Sequence, residues 1–341
     1  MEPSVTQWKH LYEAAAGFKR AGCWDWMTSG HLFGVANPAN GEIGYCSIMG
    51  NGGEMFGMAV YLGTEGLETF VGMLTDSLGE DPLYAQYCLM LSFDDRKELY
   101  PQELKQIKEL GLSFRGAKSW PTFRFYEPGF LPMPLASGEQ VDFLTLALQQ
   151  ALEVARSYRD DPDALLEGEG ESILTRTALP SAGGLDWASE WLEPKPVEES
   201  SIPTAEPVDE LRLAKIKRKL QGRAGVWEID CFYLPMPIKE KGERPYYPMA
   251  CLIVDQGTGQ ILSFEFIEKS EIANKTAALF LNVVEQIGVL PDEIWAVNER
   301  VFMYMSQMLH AFDLQAFMTL ELPALQEAKE GMIQYFENGN G

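Results

Sequence analysis

Trp227-Glu228-Ile229-Asp230, continued by the apolar run Cys231-Phe232-Tyr233-Leu234, is the stretch on which the reading of this chain turns. Residues 226–234 combine β-branched and aromatic side chains with two acids, Glu228 and Asp230, the latter at the middle. This composition predicts a strand that carries an acid at its centre. Downstream, residues 248–254 and 260–267 predict a hairpin across the turn-rich run Asp255-Gln256-Gly257-Thr258-Gly259. Residues 272–287 have helical spacing, with Ala277, Phe280, Leu281 and Val284 on one face; Gly288 ends the helix and Pro291 follows. Residues 294–297 predict a short buried strand, 301–312 a helix, 314–320 a strand, and 323–336 a last helix with Pro323 in its first turn. The order is β-β-β-α-β-α-β-α, which describes an α/β domain built on a mixed sheet.

Upstream of this domain, residues 211–223 hold six basic residues and no acidic one, with Leu213, Ile216 and Leu220 spaced as one helical face. The pattern predicts an amphipathic helix belonging to a second domain of residues 211–341. Its positive face is expected to meet the acidic segment before it, in preference to acting as an anion-binding or nucleic-acid-binding arm. Residues 159–210 hold 14 acidic residues, three basic residues and six prolines, a linker-like composition. Within it Trp187 and Trp191 predict a part that packs on a domain.

Residues 1–158 predict an α+β domain with a mostly antiparallel sheet. Trp8, Leu11, Tyr12, Ala15 and Phe18 mark a helix, and residues 31–36 and 43–49 are strands around the turn composition 37–41. Residues 55–62 are apolar at both alternating sets of positions, as in a strand buried on both faces. A helix follows from Thr64 to Leu74, then a strand over 83–93, a helix between Pro101 and Gly111, extended chain over 113–130 and an amphipathic helix over 138–158.

The chain of 341 residues carries a formal charge of −23, so general affinity for nucleic acid or anionic lipid is disfavoured. Its five cysteines lie at 23, 46, 88, 231 and 251, without a C-x-x-C pair, which predicts reduced thiols and not a disulfide framework. No basic leader and no apolar run of membrane-spanning length is present in the sequence, so the expected setting is the cytoplasm.

The element order of residues 225–341 is similar to the ribonuclease H-like fold, in particular to retroviral-integrase and transposase cores. Trp227-Glu228-Ile229-Asp230 resembles their Trp-x-x-Asp first strand. Residues 250–262 resemble their second-strand hairpin, and Leu290 to Asn298 resembles the fourth strand, which ends in Asp in active members and here ends in Asn298. The resemblance implies a catalytic set of Asp230, Asn298 and Glu327, with Glu321 behind it, and metal ligation by Asp230 and Glu327. Such sites hold two Mg²⁺ ions between converging carboxylates. Asn298 offers a neutral oxygen in place of a bridging carboxylate. Residues 224–341 also hold seven basic and 17 acidic residues, where a nucleic-acid groove would be basic. The expectation is therefore a scaffold without nuclease activity and without a required cofactor, binding a protein or small molecule. The alternative is a Mg²⁺- or Mn²⁺-dependent nuclease or phosphodiesterase with an atypical site. The whole chain further resembles an uncharacterised bacterial two-domain family, through Gly44-Tyr45-Cys46-Ser47-Ile48-Met49-Gly50, Ala59-Val60-Tyr61-Leu62-Gly63 and Phe114-Arg115-Gly116.

Other candidate sites are weaker. Gly50-Asn51-Gly52-Gly53 leads into a strand, which fits a hairpin turn and not a phosphate cradle. Arg115, Lys118 and Arg124, with Trp120, form a basic cluster that would suit a carboxylate or phosphate, although Glu127, Asp94 and Asp95 are available as internal partners. Asp255 is a turn residue, and His10, His31 and His310 have no metal-ligand spacing.

Overall fold

The computed structural model describes all residues except 76–81, 182–183, 197–204, 241, 243 and 339–341. The chain is mixed α/β and divides into two compact units, each built on a mixed sheet. The first comprises Met1–Leu78, Ala85–Pro128 and Pro132–Val197; the second comprises Gly79–Tyr84, Gly129–Leu131 and Glu198–Gly341.

In the first unit α1 (Val5–Ala21) precedes β1 (Phe33–Ala36), β2 (Ile43–Met49), β3 (Gly57–Leu62) and α2 (Gly63–Leu74). After the one-turn helix α3 (Pro82–Ala85) come β4 (Cys88–Asp94), α4 (Pro101–Glu109), β5 (Trp120–Tyr126), β6 (Met133–Pro134) and α5 (Gly138–Ser157). A hairpin of β7 (Ile173–Ser181) and β8 (Gly184–Leu192) closes the unit. The strand order is β6-β5-β4-β3-β2-β1-β7-β8, and every neighbouring pair is antiparallel except β1 and β7.

Both faces of this sheet are covered. Met58, Val60 and Leu62 of β3 join the core under α1 and α5, while Ala59 and Tyr61 join the smaller core with Leu67 and Phe70 of α2. The two-sided apolar pattern of β3 follows directly. Helices α1 and α5 each start with a capping box, Ser4 with Gln7 and Ser137 with Gln140, which satisfies first-turn N–H groups.

Residues 173–192, the part of the acidic segment marked by its two tryptophans, form the outer hairpin of the first sheet. Leu174 and Thr175 are buried and Trp187 packs on the core, whereas Asp186, Glu190 and Trp191 are exposed. The acidic residues there lie on the solvent side of paired strands, so their average over a window reads as linker. Residues 197–204 lie outside the described residues. The strand expected over 83–93 begins only at Cys88, because the chain first makes α3. Tyr84 and Gly129–Leu131 belong to the second unit, and not to a domain of residues 1–158. Tyr84 stacks edge-on against Tyr247 with ring centroids 4.5 Å apart, and Tyr247 N donates to Gly129 O at 2.7 Å.

The second unit contains α6 (Glu210–Lys219), β9 (Val226–Tyr233), β10 (Met249–Asp255), β11 (Ile261–Ile267), α7 (Ile272–Ile287), β12 (Glu293–Ala296), α8 (Glu299–Phe312), β13 (Gln315–Met318) and α9 (Pro323–Asn338). The β-β-β-α-β-α-β-α order matches the expectation. Its sheet has the order β11-β10-β9-β12-β13, with β10 antiparallel to both neighbours and β12 parallel to β9 and β13. Trp227, Ile229, Cys231 and Tyr233 point into the core shared with α7 and α8. Phe232 and Leu234 point to the opposite face, where Leu325, Ala328 and Met332 of α9 cover them. Among the described residues no helix is long and apolar enough to cross a membrane.

Candidate functional site

Strand periodicity places Glu228 and Asp230 on the α9 face of β9, with Phe232. Glu228 is fully buried. Its Oε2 accepts the N–H of Leu325 at 2.7 Å, and the Ala324 N–H also bonds to the carboxylate. Burial pushes the Glu228 carboxyl above the usual carboxylate range, and these two N–H groups partly offset it. Oε1 has no hydrogen-bond partner among the described residues. Glu228 therefore acts as an acceptor for the open first turn of α9.

Asp230 is 9% exposed, and its Oδ1 accepts the Cys231 N–H at 2.9 Å. Burial raises its carboxyl, and the positive charge of Lys329 counteracts part of that rise. The Lys329 ammonium also sits 4.1 Å over the Phe232 ring. The acid at the centre of the strand thus faces a lysine of the covering helix.

The other residues of the implied catalytic set have different settings. Asn298 is exposed at the N-cap of α8, where its Oδ1 accepts the Arg300 N–H at 2.9 Å. Glu327 and Glu321 are exposed. Among the described residues no group of three or more His, Cys, Asp and Glu side chains stands close enough to hold a metal ion. The residues present do not fit a two-metal centre. Asp255 serves its turn, accepting from the Thr258 N–H and hydroxyl at 2.9 and 2.7 Å.

In the first unit the basic cluster is occupied internally. Arg124 Nη2 donates to Glu98 O at 3.2 Å and lies 3.7 Å from Glu103 Oε2, and its guanidinium stacks 4.7 Å from the Tyr100 ring. Glu103 is buried, and burial raises its carboxyl against the lowering influence of the Tyr100 N–H and Arg124. Lys118 Nζ donates to the carbonyls of Gly53 and Glu54 at 2.7 and 2.8 Å, while its own N–H donates to Asp95. Lys118 thereby fixes the Gly50–Gly53 turn, where Gly53 N donates to Gly50 O. Arg115 is exposed. The acid that meets Arg124 is Glu103, which the sequence reading did not single out.

Among the described residues the basic helix α6 finds its partner in α7. Arg212 Nη2 donates to Asn282 and to Glu285 of α7, each at 2.8 Å. That bond from Arg212 holds the Glu285 carboxyl below the usual range. Arg223 donates to the last carbonyls of α8, Phe312 O and Asp313 O. A cleft of about 240 Å³ between α6 and α7 is lined by Lys215, Lys219 and Glu285, a mixed-sign wall.

Glu228 and Lys329 are the residues that sequence reasoning missed on the β9 face. Glu228 was within reach, since it lies two positions from Asp230 and must share its face. Lys329 gave no signal, because only the docking of α9 brings it there.

Residues 8–176 match the family model of a domain of unknown function (DUF7309), and residues 212–333 match that of another domain of unknown function (DUF6930). No curated protein and no solved structure matches the chain. The chain thus carries two domains of unknown function in series, consistent with an uncharacterised two-domain family.

Proposed function

We propose that the second unit is a ribonuclease H-like scaffold that works by binding a partner, a protein or small molecule, and not by metal-dependent hydrolysis. The scaffold reading is supported by the order β11-β10-β9-β12-β13, in which β10 alone runs against the other strands, and by the helices that follow β11, β12 and β13. The observation that carries the binding reading is Lys329, whose ammonium lies 4.1 Å over the ring of Phe232, on the strand face that Asp230 shares, and counteracts part of the rise of the Asp230 carboxyl. A two-metal centre needs converging carboxylates and repels a resident ammonium. Here an ammonium on the same face offsets part of the rise that burial gives the Asp230 carboxyl. Asn298 is neutral and engaged as a helix cap, and Glu228 is engaged by α9. The acidic surface of residues 224–341 points away from nucleic acid as the partner. On the edge strand β13 and just beyond it, Phe317, Met318 and Leu320 are exposed, apolar area of the kind that interaction surfaces use.

The test is calorimetric titration of the full chain with Mg²⁺ and Mn²⁺, together with cleavage assays on single- and double-stranded nucleic acid. The expected result is no binding at millimolar metal and no cleavage. Metal binding abolished by Asp230→Ala, with metal-dependent cleavage, would overturn the proposal in favour of a nuclease using Asp230, Asn298 and Glu327.

A further inference from the structure

Cys231 and Cys251 stand directly opposite each other on β9 and β10. The kind of pair they form follows from hydrogen bonds at both ends of the ladder. Leu234 N donates to Pro248 O, and Gln256 N donates to Val226 O, so those two opposed pairs are hydrogen-bonded ones. Hydrogen-bonded and non-hydrogen-bonded pairs alternate along an antiparallel ladder. Position 231 is an odd number of residues from both 234 and 226, which makes Cys231–Cys251 a non-hydrogen-bonded pair. Such pairs have Cα atoms about 4.5 Å apart. A disulfide spans roughly 4.4–6.8 Å between Cα atoms, so this pair lies at the short end of the permitted range.

The side chains also converge. Both point to the face covered by α7. Cys231 Sγ is 3.3 Å from Thr276 Oγ1 of α7. Cys251 is buried, and Cys231 is the less buried of the two. The remaining cysteines lack this arrangement: Cys46 faces Phe33 and Val60, Cys88 faces Tyr61 and Tyr126, and Cys23 lies outside the strands.

We infer that Cys231 and Cys251 form a reversible cross-strand disulfide, so that the central hairpin of the second unit is a thiol-oxidation site for small disulfides of the oxidised-glutathione class. The Cys231 thiolate attacks one sulfur of the small disulfide, forming a mixed disulfide and releasing one thiolate. The Cys251 thiolate then attacks the Cys231 sulfur, forming the internal bond and releasing the second thiolate. Two protein thiols are oxidised, one small disulfide is reduced to two thiols, and the two protein protons end on those thiols. The neighbouring Cys251, together with burial, holds the Cys231 thiol well above its ordinary range, so exchange is slow at neutral pH and accelerates as pH rises.

The test uses the folded full chain, incubated with oxidised glutathione, quenched by alkylation, digested without reductant and weighed. The expected result is one cross-linked peptide pair joining residues 231 and 251, lighter by two hydrogens, formed faster at higher pH and lost with dithiothreitol. Cys251→Val is expected to abolish the cross-link and trap Cys231 as the mixed disulfide. The inference is overturned if both cysteines remain alkylatable, if the bond joins other cysteines, or if it forms only in denaturant. Should Cys251→Val fail to fold, the wild-type peptide masses decide alone.

Discussion

Glu228 of β9 accepts the backbone N–H of Leu325, in the first turn of α9, across 2.7 Å. This bond joins the central strand of the second sheet to the helix that covers it, and Leu325 itself packs with Leu252 and Val254. A buried carboxylate gains from the partial positive charge of a helix start, yet burial still raises the Glu228 carboxyl. Lys329 of the same helix lowers the Asp230 carboxyl against the rise that burial causes, so α9 acts on both acids of this face.

Glu228→Ala removes the acceptor and leaves first-turn N–H groups buried, so it is expected to cost about 1–3 kcal/mol. Glu228→Gln retains a carbonyl acceptor and is expected to cost less. The pH dependence separates charge from hydrogen bonding. Because the folded value is raised, the wild type has its full stability below the ordinary glutamate value of about 4.3 and loses stability as pH climbs from there through the folded value. The Gln variant lacks that loss. Urea melts at several pH values between 4 and 8 should show the variant gaining on the wild type with rising pH and then levelling. A constant difference would show that Glu228 titrates alike in the folded and unfolded chain.

Lys329→Met keeps an apolar stem over Phe232 and deletes the charge that favours ionised Asp230. It is expected to destabilise the protein at pH 7. In an Asp230→Asn background the same change should cost less, a coupling between the two positions. Denaturant unfolding of the four proteins of this cycle measures that coupling directly. Strict additivity would mean that the two charges do not interact.

Periodicity and end signals made much of the fold legible. Gly288, with φ of 75°, ends α7 where the sequence placed its stop, and the two-sided apolar pattern of β3 identified a covered strand. Over residues 159–210 the acidic average hides a hairpin, because exposed Asp186 and Glu190 lie on the same paired strands as buried Leu174 and Thr175. At the site, Asp230 was legible as a strand acid. The lysine that faces it lies almost a hundred residues later, on a helix whose rotation no local pattern sets. Arg124 and Glu103 are likewise joined by tertiary packing, from a strand and from a helix that precedes it.

Arg124→Ala is expected to destabilise the first unit by about 3–5 kcal/mol, the usual result of leaving a buried charge without its partner. Glu103 would be left buried with only the Tyr100 N–H at 2.6 Å. Arg115→Ala, at an exposed position, is expected to stay within about 0.5 kcal/mol of wild type. Inorganic phosphate should not move the melting temperature of the wild type, because Arg124 and Lys118 have internal partners. A clear phosphate-induced rise that Arg115→Ala removes would restore the anion-site reading.

Gly34 of β1 lies against Thr175 of β7, and a Cβ at position 34 would meet Thr175 Oγ1 at 2.5 Å and its Cγ2 at 3.0 Å. Only glycine allows this parallel approach, which brings the hairpin of β7 and β8 into the sheet. Gly34→Ala is therefore expected to lower stability by about 1–3 kcal/mol, the usual cost of overpacking. Thr175→Ala removes two of the three close atoms, the third being Ile43 Cγ2 at 3.0 Å, so the double variant should recover part of the loss. Thermal melts of the two single variants and the double variant test this. If residues 173–192 were a tether lying apart from β1, the two substitutions would simply add. Partial rescue instead requires the hairpin to be a structural strand pair of the first sheet in solution.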